Sequence, residues 1–101
     1  MSKVINITEK LSNEKPVIVV GEKSYEVNDG MDTVLKFEEL VSDSTAENMV
    51  KAIEISLGEQ AAIDLNVMKM NASNYKVLAI AILASMQGVT YEEAEGRFRK
   101  A

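Results

Sequence analysis

The chain has 101 residues, 47% apolar and 27% charged, and this composition predicts one folded domain spanning residues 1–101. The formal net charge of −5 at pH 7 argues against a nucleic-acid partner, because phosphate binding depends on Lys and Arg. There is no Cys, which excludes disulfides, thiolate catalysis and zinc sites built on sulfur.

The first 28 residues carry the pattern of short β-strands. Val4–Thr8 is rich in β-branched residues, Pro16–Val20 is a continuous β-branched run, and Ser24–Val27 alternates polar and apolar residues. A Gly-Glu-Lys segment between the last two supplies a hairpin turn. We therefore predict about three short antiparallel strands, as a hairpin or meander, in residues 1–28.

From residue 29 to residue 101 the apolar residues recur at the spacing of helices, which predicts a bundle of four to five helices. Gly58 and Gly88 are placed to end the second and fourth helices. Strands followed by helices define an α+β fold. Two predicted N-caps are single residues, Asp32 and Ser73. Two others belong to capping boxes, Ser44 with Glu47 and Thr90 with Glu93. The third and fourth helices are expected over about 60–68 and 74–87.

The fourth helix is the most unusual element, because Val77–Ala84 contains no polar residue. A helix that is apolar on all sides must be covered on all sides, so it is either the centre of the domain or half of an interface. Methionines near its start are a feature of adaptable binding surfaces. We predict that this helix holds an amphipathic helix of a protein partner. The predicted protein-binding residues are Met68, Met70, Leu78, Ile82 and Met86.

The residues offer little for catalysis. There is no His, so the commonest general base is missing along with Cys. Asn28–Asp32 has its glycine at the third position, whereas a calcium loop needs it at the sixth. The turn at Gly88 has helix-turn-helix spacing, but the helix that follows opens with three glutamates that DNA would repel. We predict a protein that is not an enzyme and has no catalytic residue, metal, cofactor or nucleic-acid partner.

The sequence also bears on location. The first residues lack the apolar region of a signal peptide. The longest apolar run, Val77–Ala84, is far shorter than the roughly 20 residues that span a bilayer. We expect a cytoplasmic protein without membrane association.

Four segments follow one another in an order that is similar to a known family: Met31–Phe37, Ala52–Gly58, Tyr75–Ile82 and Tyr91–Phe98. Over about residues 25–99 the chain resembles the small tail assembly chaperones of phages and prophages of Gram-positive bacteria. The resemblance implies a non-catalytic protein in the host bacterial cytoplasm that binds the hydrophobic tape measure protein and keeps it soluble. It also implies recruitment of tail-tube subunits during virion assembly.

Two other classes are compatible with the sequence. A virion structural or head–tail joining protein would use the apolar fourth helix to form a permanent homo-oligomer. An acidic regulatory module that binds another protein would need carboxylates in rows on one face, whereas here they are distributed among helix starts and ion pairs. The expected partner is a protein, and homo-oligomerisation is left open.

Overall fold

A computed structural model describes residues 3–12, 14–43 and 45–100. It confirms the α+β class: a two-stranded antiparallel sheet precedes five helices. The strands are β1 (Val17–Val20) and β2 (Lys23–Glu26). The helices are α1 (Met31–Ser42), α2 (Ala46–Leu57), α3 (Glu59–Asp64), α4 (Ala72–Gln87) and α5 (Tyr91–Lys100).

The predicted first strand, Val4–Thr8, is not a strand. Residues 3–7 have no regular secondary structure, and a 3₁₀ turn follows over Thr8–Lys10. The Asn6 side-chain Oδ1 accepts hydrogen bonds from the Thr8 backbone N–H at 3.0 Å and the Thr8 hydroxyl at 2.7 Å. Such local bonds compete with pairing along a strand. The prediction of about three strands is therefore wrong by one, because β-branched composition favours a strand only where a partner edge is available.

The hairpin forms where the sequence predicts it. A two-residue turn joins the strands, and Gly21 in that turn has φ 63°, which a glycine adopts without steric cost. The hairpin is fixed to α2 by the Asn28 N–H, which donates to the Ser56 carbonyl at 2.8 Å. The register pairs Val17 with Glu26, Ile18 with Tyr25, Val19 with Ser24 and Val20 with Lys23.

Two predicted caps at the start of the helical region need correction. The N-cap of α1 is Gly30, and Asp32 lies inside the first turn, where its Oδ1 accepts from the next backbone N–H at 2.8 Å. The N-cap of α2 is Thr45, whose hydroxyl accepts from the Asn48 N–H at 3.2 Å. The predicted cap Ser44 lies outside the described residues. Asp, Ser and Thr are all good caps, so neighbouring candidates cannot be ranked by residue type alone.

The later helices give one correction and one confirmation. Asn71 caps α4 by accepting from the Asn74 N–H at 2.8 Å, so the predicted cap Ser73 lies within the helix. The capping box of α5 is confirmed. The Glu93 N–H donates to the Thr90 hydroxyl at 3.1 Å, and the Thr90 N–H donates to a Glu93 carboxylate oxygen at 3.3 Å.

The helix ends depend on backbone conformations that favour glycine. Gly58 and Gly88 have φ values of 99° and 67° and end α2 and α4 as predicted. The predicted third helix is shorter than expected, because Asn66 takes a left-handed φ of 52° after α3. Asn tolerates that conformation better than most residues. A 3₁₀ turn over Val67–Lys69 then leads into α4.

The core places α4 at the centre of the helical region. Phe37 from α1, Ile53 from α2 and Ile82 from α4 are fully buried in one cluster with the end of the hairpin. A second cluster joins Ile80 of α4 to Ala94 of α5. The all-apolar character of α4 is explained by this position between two clusters. No helix in the described part of the chain has the length and apolar content needed to cross a membrane.

A buried tyrosine links α4 to α2. The Tyr75 hydroxyl donates to the Met49 carbonyl at 2.9 Å. Burial raises the pKa of Tyr75 to about 12, because desolvation penalises the phenolate. The interior thus holds this side chain in its neutral, hydrogen-bonded form.

Candidate protein-binding surface

The structure does not bring the five predicted binding residues together on one exposed surface. Leu78 and Ile82 are 6% and 0% exposed and belong to the main core. Met70 and Met86 are partly buried against the same core, whereas Met68 is 64% exposed. The face of α4 that carries Leu78 and Ile82 is therefore covered by the chain itself, and a partner could reach it only if the core opened.

The exposed apolar side chains are concentrated elsewhere. Five of those found in the described residues are spread over the helical region, at Met31, Leu35, Ile63, Met68 and Val77. Scattered exposed side chains of this kind are normal on a folded protein. Seven others lie within residues 4–20. Val20 lies on the same face of β1 as Ile18, and we call the other six the N-terminal apolar surface: Val4, Ile5, Ile7, Leu11, Val17 and Val19. This part of the chain therefore carries more exposed large apolar side chains than the whole helical region, and exposed apolar side chains that lie together mark binding sites.

The first part of this surface is a segment that we call the N-terminal arm, residues 3–12. Every residue of the arm is exposed. Within the described residues, no hydrogen bond joins the arm to the helical region. The molecule is elongated, with extents of 60 × 31 × 23 Å and a radius of gyration of 15.3 Å. A compact chain of this length has a radius of gyration of about 13 Å.

The second part is the outer face of the hairpin. Val17 and Val19 are 53% and 66% exposed, and they share this face because alternate residues of a strand point to the same side. Ile18 and Tyr25 are partly buried on the opposite face, and Ile18 packs against the core. The hairpin therefore buries one face and presents the other, with valines where an antiparallel sheet usually has polar residues.

The outer edge of β1 is unpaired. The two-residue turn makes Val20 and Lys23 a hydrogen-bonded pair, and these pairs alternate along the ladder. The Val27 N–H, which donates to the Pro16 carbonyl at 2.8 Å, continues the alternation. The N–H and C=O groups of Val17 and Val19 consequently point away from β2. In the part of the chain that the structure describes, these groups have no hydrogen-bond partner.

Both strands lie near helices: β1 contacts α4, with Ile18 packed against the core, and a groove lies along β2. A groove of about 520 Å³ separates β2 from α2 and α3. It is bridged at one end by Lys23 and Asp64, whose Nζ and Oδ2 are 3.6 Å apart. The buried hydroxyl in its wall, Ser56, donates to the Ala52 carbonyl at 2.8 Å, which is a bond within α2. Among the described residues, no group of acidic side chains is arranged to hold a metal ion.

Comparisons with family models, curated proteins and solved structures find no match to this chain.

The predicted strands Val4–Thr8 and Pro16–Val20 contain every residue of the N-terminal apolar surface except Leu11, and the exposure of these residues was not predicted. The available signal was the valine-rich run of β1. A strand that packs on one side only can bury alternate residues, so four consecutive β-branched residues at Val17–Val20 exceed what one buried face can hold.

Proposed function

We propose that this chain is a non-catalytic tail assembly chaperone of a phage or prophage of Gram-positive bacteria. It binds the tape measure protein in the host cytoplasm and keeps it soluble until the tail is assembled. The observation that supports protein binding is the N-terminal apolar surface, whose side chains are exposed and are not part of the hydrophobic core. The assignment to tail assembly is supported by the resemblance over residues 25–99.

The energetics suit a chaperone that binds an apolar partner. Fully burying a Val, Leu or Ile side chain contributes about 1.5–3 kcal/mol. The side chains of this surface are 51–89% exposed, so burying their exposed parts contributes an amount comparable to the roughly 4–15 kcal/mol that association costs. The net charge of −5 keeps the resulting complex soluble, because it opposes aggregation of the coated partner.

The test is co-expression with the tape measure protein encoded nearest to this gene, followed by a pull-down and light scattering. The wild-type chain should give a soluble complex with several copies per partner. A variant carrying both Ile5→Asp and Ile7→Asp should lose the complex while keeping its fold, because both side chains are exposed in the arm.

The matched control is Ile63→Asp, which places the same charge at a 69% exposed position on α3. It should still give a soluble complex. A tape measure protein that stays insoluble with the wild-type chain contradicts the proposal. If the chain alone then forms a ring whose size does not change with concentration, it is a virion structural protein instead.

A further inference from the structure

We propose that Val4–Ile7, in the N-terminal arm of one copy, pair as a β-strand with the exposed edge of β1 in a second copy. The inference extends the proposed function, on which it rests for the use of this surface in protein binding. It names a second copy of the chain as the occupant of the β1 edge.

The arm has the sequence of a strand and lacks a partner. Four of the five residues in Val4–Thr8 are β-branched, which is the composition that strands prefer. Val4 and Ile5 are nonetheless 89% and 83% exposed. The segment therefore has the composition of a β-strand, but within the described residues of its own chain it pairs with no other strand.

The β1 edge supplies that position. The backbone groups of Val17 and Val19 point outward and have no partner among the described residues, whereas β2 faces α2 and α3 across the groove. Exposed edges of this kind are templates for pairing with another chain. A two-stranded hairpin is marginal by itself, and a third strand stabilises it.

The conformation of the arm favours a second copy over its own hairpin. Two local turns lie between Val4–Ile7 and β1: the 3₁₀ turn over Thr8–Lys10, and a turn at Ser12, whose hydroxyl accepts from the Glu14 N–H at 3.2 Å. The molecule is elongated and every residue of the arm is exposed, so the arm does not pack on its own sheet. Val4–Ile7 can pair with a neighbour while these turns remain.

Two copies repel overall because each carries a net charge of −5, and the distribution of charge decides which parts approach most easily. The arm contains Lys3, Glu9 and Lys10 and so has a formal charge of +1, which leaves −6 on the rest of the chain because the total is −5. The arm of one copy is attracted to the body of another, while two bodies repel. Attraction of this kind promotes encounter, and pairing with the edge then fixes the register.

Pairing would also enlarge the partner-binding face. Ile5 and Ile7 lie two residues apart, so they share one side of a strand, as Val17 and Val19 do. Each copy offers one arm and one edge. The contact is therefore satisfied either reciprocally in a dimer or head to tail through further copies.

The test measures the mass of the full chain alone by analytical ultracentrifugation over a concentration series. Wild type should associate reversibly. Val19→Pro should be monomeric, because proline removes the outward N–H and leaves the bonds to β2 intact. Val19→Thr, which keeps the N–H, should associate like wild type. Wild type that stays monomeric, or a folded Val19→Pro that associates equally well, overturns the proposal.

A second measurement covers the case in which Val19→Pro fails to fold. The chain has no Cys, so an Ile5→Cys variant and a mass-tagged Val19→Cys variant can be mixed and treated with a short bis-maleimide. We expect a cross-link between the untagged Ile5→Cys chain and the mass-tagged Val19→Cys chain. As a control, a mixture of Ile63→Cys and tagged Val19→Cys should not form a cross-link. Absence of a cross-link between the two copies overturns the proposal. A double variant with Ile5→Cys and Val19→Cys in one chain tests pairing of the arm with its own hairpin, and a cross-link within that single chain also overturns the proposal. Because no tape measure protein is present, these results are independent of the chaperone assay.

Discussion

The N-terminal apolar surface and helix α4 have similar side chains and opposite environments. Residues 78–84 of α4 are all buried or partly buried, whereas the apolar residues 4–7 of the arm are exposed. The difference lies in the backbone. A helix satisfies its own N–H and C=O groups and needs neighbours only for its side chains, whereas a strand needs neighbours for both. An apolar strand sequence without a partner edge therefore remains available for binding.

The largest expected effect is in the buried region. Ile82→Asp places an unpaired charge in the main core, where Ile82 is fully buried. We expect a loss of about 4 kcal/mol or more, close to the total stability of a small domain. Far-UV circular dichroism during urea unfolding checks this. The sequence analysis made Ile82 a binding residue, and a variant with wild-type stability would restore that interpretation.

The next effect is a pH dependence that arises from Tyr75. Burial raises the pKa of Tyr75 to about 12 from its ordinary value near 10. The neutral form is favoured in the folded state, so this contribution to stability is complete below pH 10. It is lost as the pH rises from about 10 to about 12, and the expected loss is about 2 kcal/mol.

Urea unfolding at several values of alkaline pH measures this loss, with Tyr75→Phe as the control. The control removes the hydrogen bond to Met49, at a cost of about 1 kcal/mol, and also removes the titrating group. Its stability should fall less than that of wild type over the same pH range. Equal falls in both proteins would show that other groups, such as lysines, cause the loss.

A smaller effect is expected at the last helix. Thr90→Ala removes the cap whose hydroxyl accepts from the Glu93 N–H at 3.1 Å. The expected destabilisation is about 1 kcal/mol. Thr90→Ser keeps the hydroxyl and should recover most of it, as thermal unfolding can show. Equal melting temperatures for wild type and Thr90→Ala would mean that the cap does not stabilise the domain.

The smallest effect is expected in the arm. Ile5→Asp introduces the same charge as Ile82→Asp, but at an 83% exposed position, so the free energy of unfolding should change by less than about 0.5 kcal/mol. The measurement is urea unfolding at a concentration where the chain is monomeric. A loss comparable to that of Ile82→Asp would mean that the arm packs on the body in solution.

Much of the helical region could be predicted from local chemistry. The capping box of Thr90 and Glu93 has both halves in the sequence, and Gly58 and Gly88 mark helix ends that need positive φ. Single caps were harder to place, because Asn71 and Ser73 compete at the same helix start. A helix end can be predicted from the sequence when the residues that determine it lie within a few positions of each other.

The candidate site could not be predicted in the same way. The apolar run of α4 was compatible with either a core or an interface, and only the packing of α1 and α2 around it decides between them. The strand preference of Val4–Thr8 was visible, but whether a sheet edge is available depends on tertiary structure. Side-chain patterns predict that these residues need to be buried, but they do not show whether the same chain or a partner buries them.

The most direct test of the account is hydrogen–deuterium exchange on the chain alone at low concentration and on its complex with the tape measure protein. We predict fast exchange in residues 3–20 of the free chain, slow exchange in α2 and α4 in both states, and new protection in the complex centred on residues 3–20. Protection that appears instead in α4, with residues 3–20 unchanged, would contradict the assignment of the binding surface.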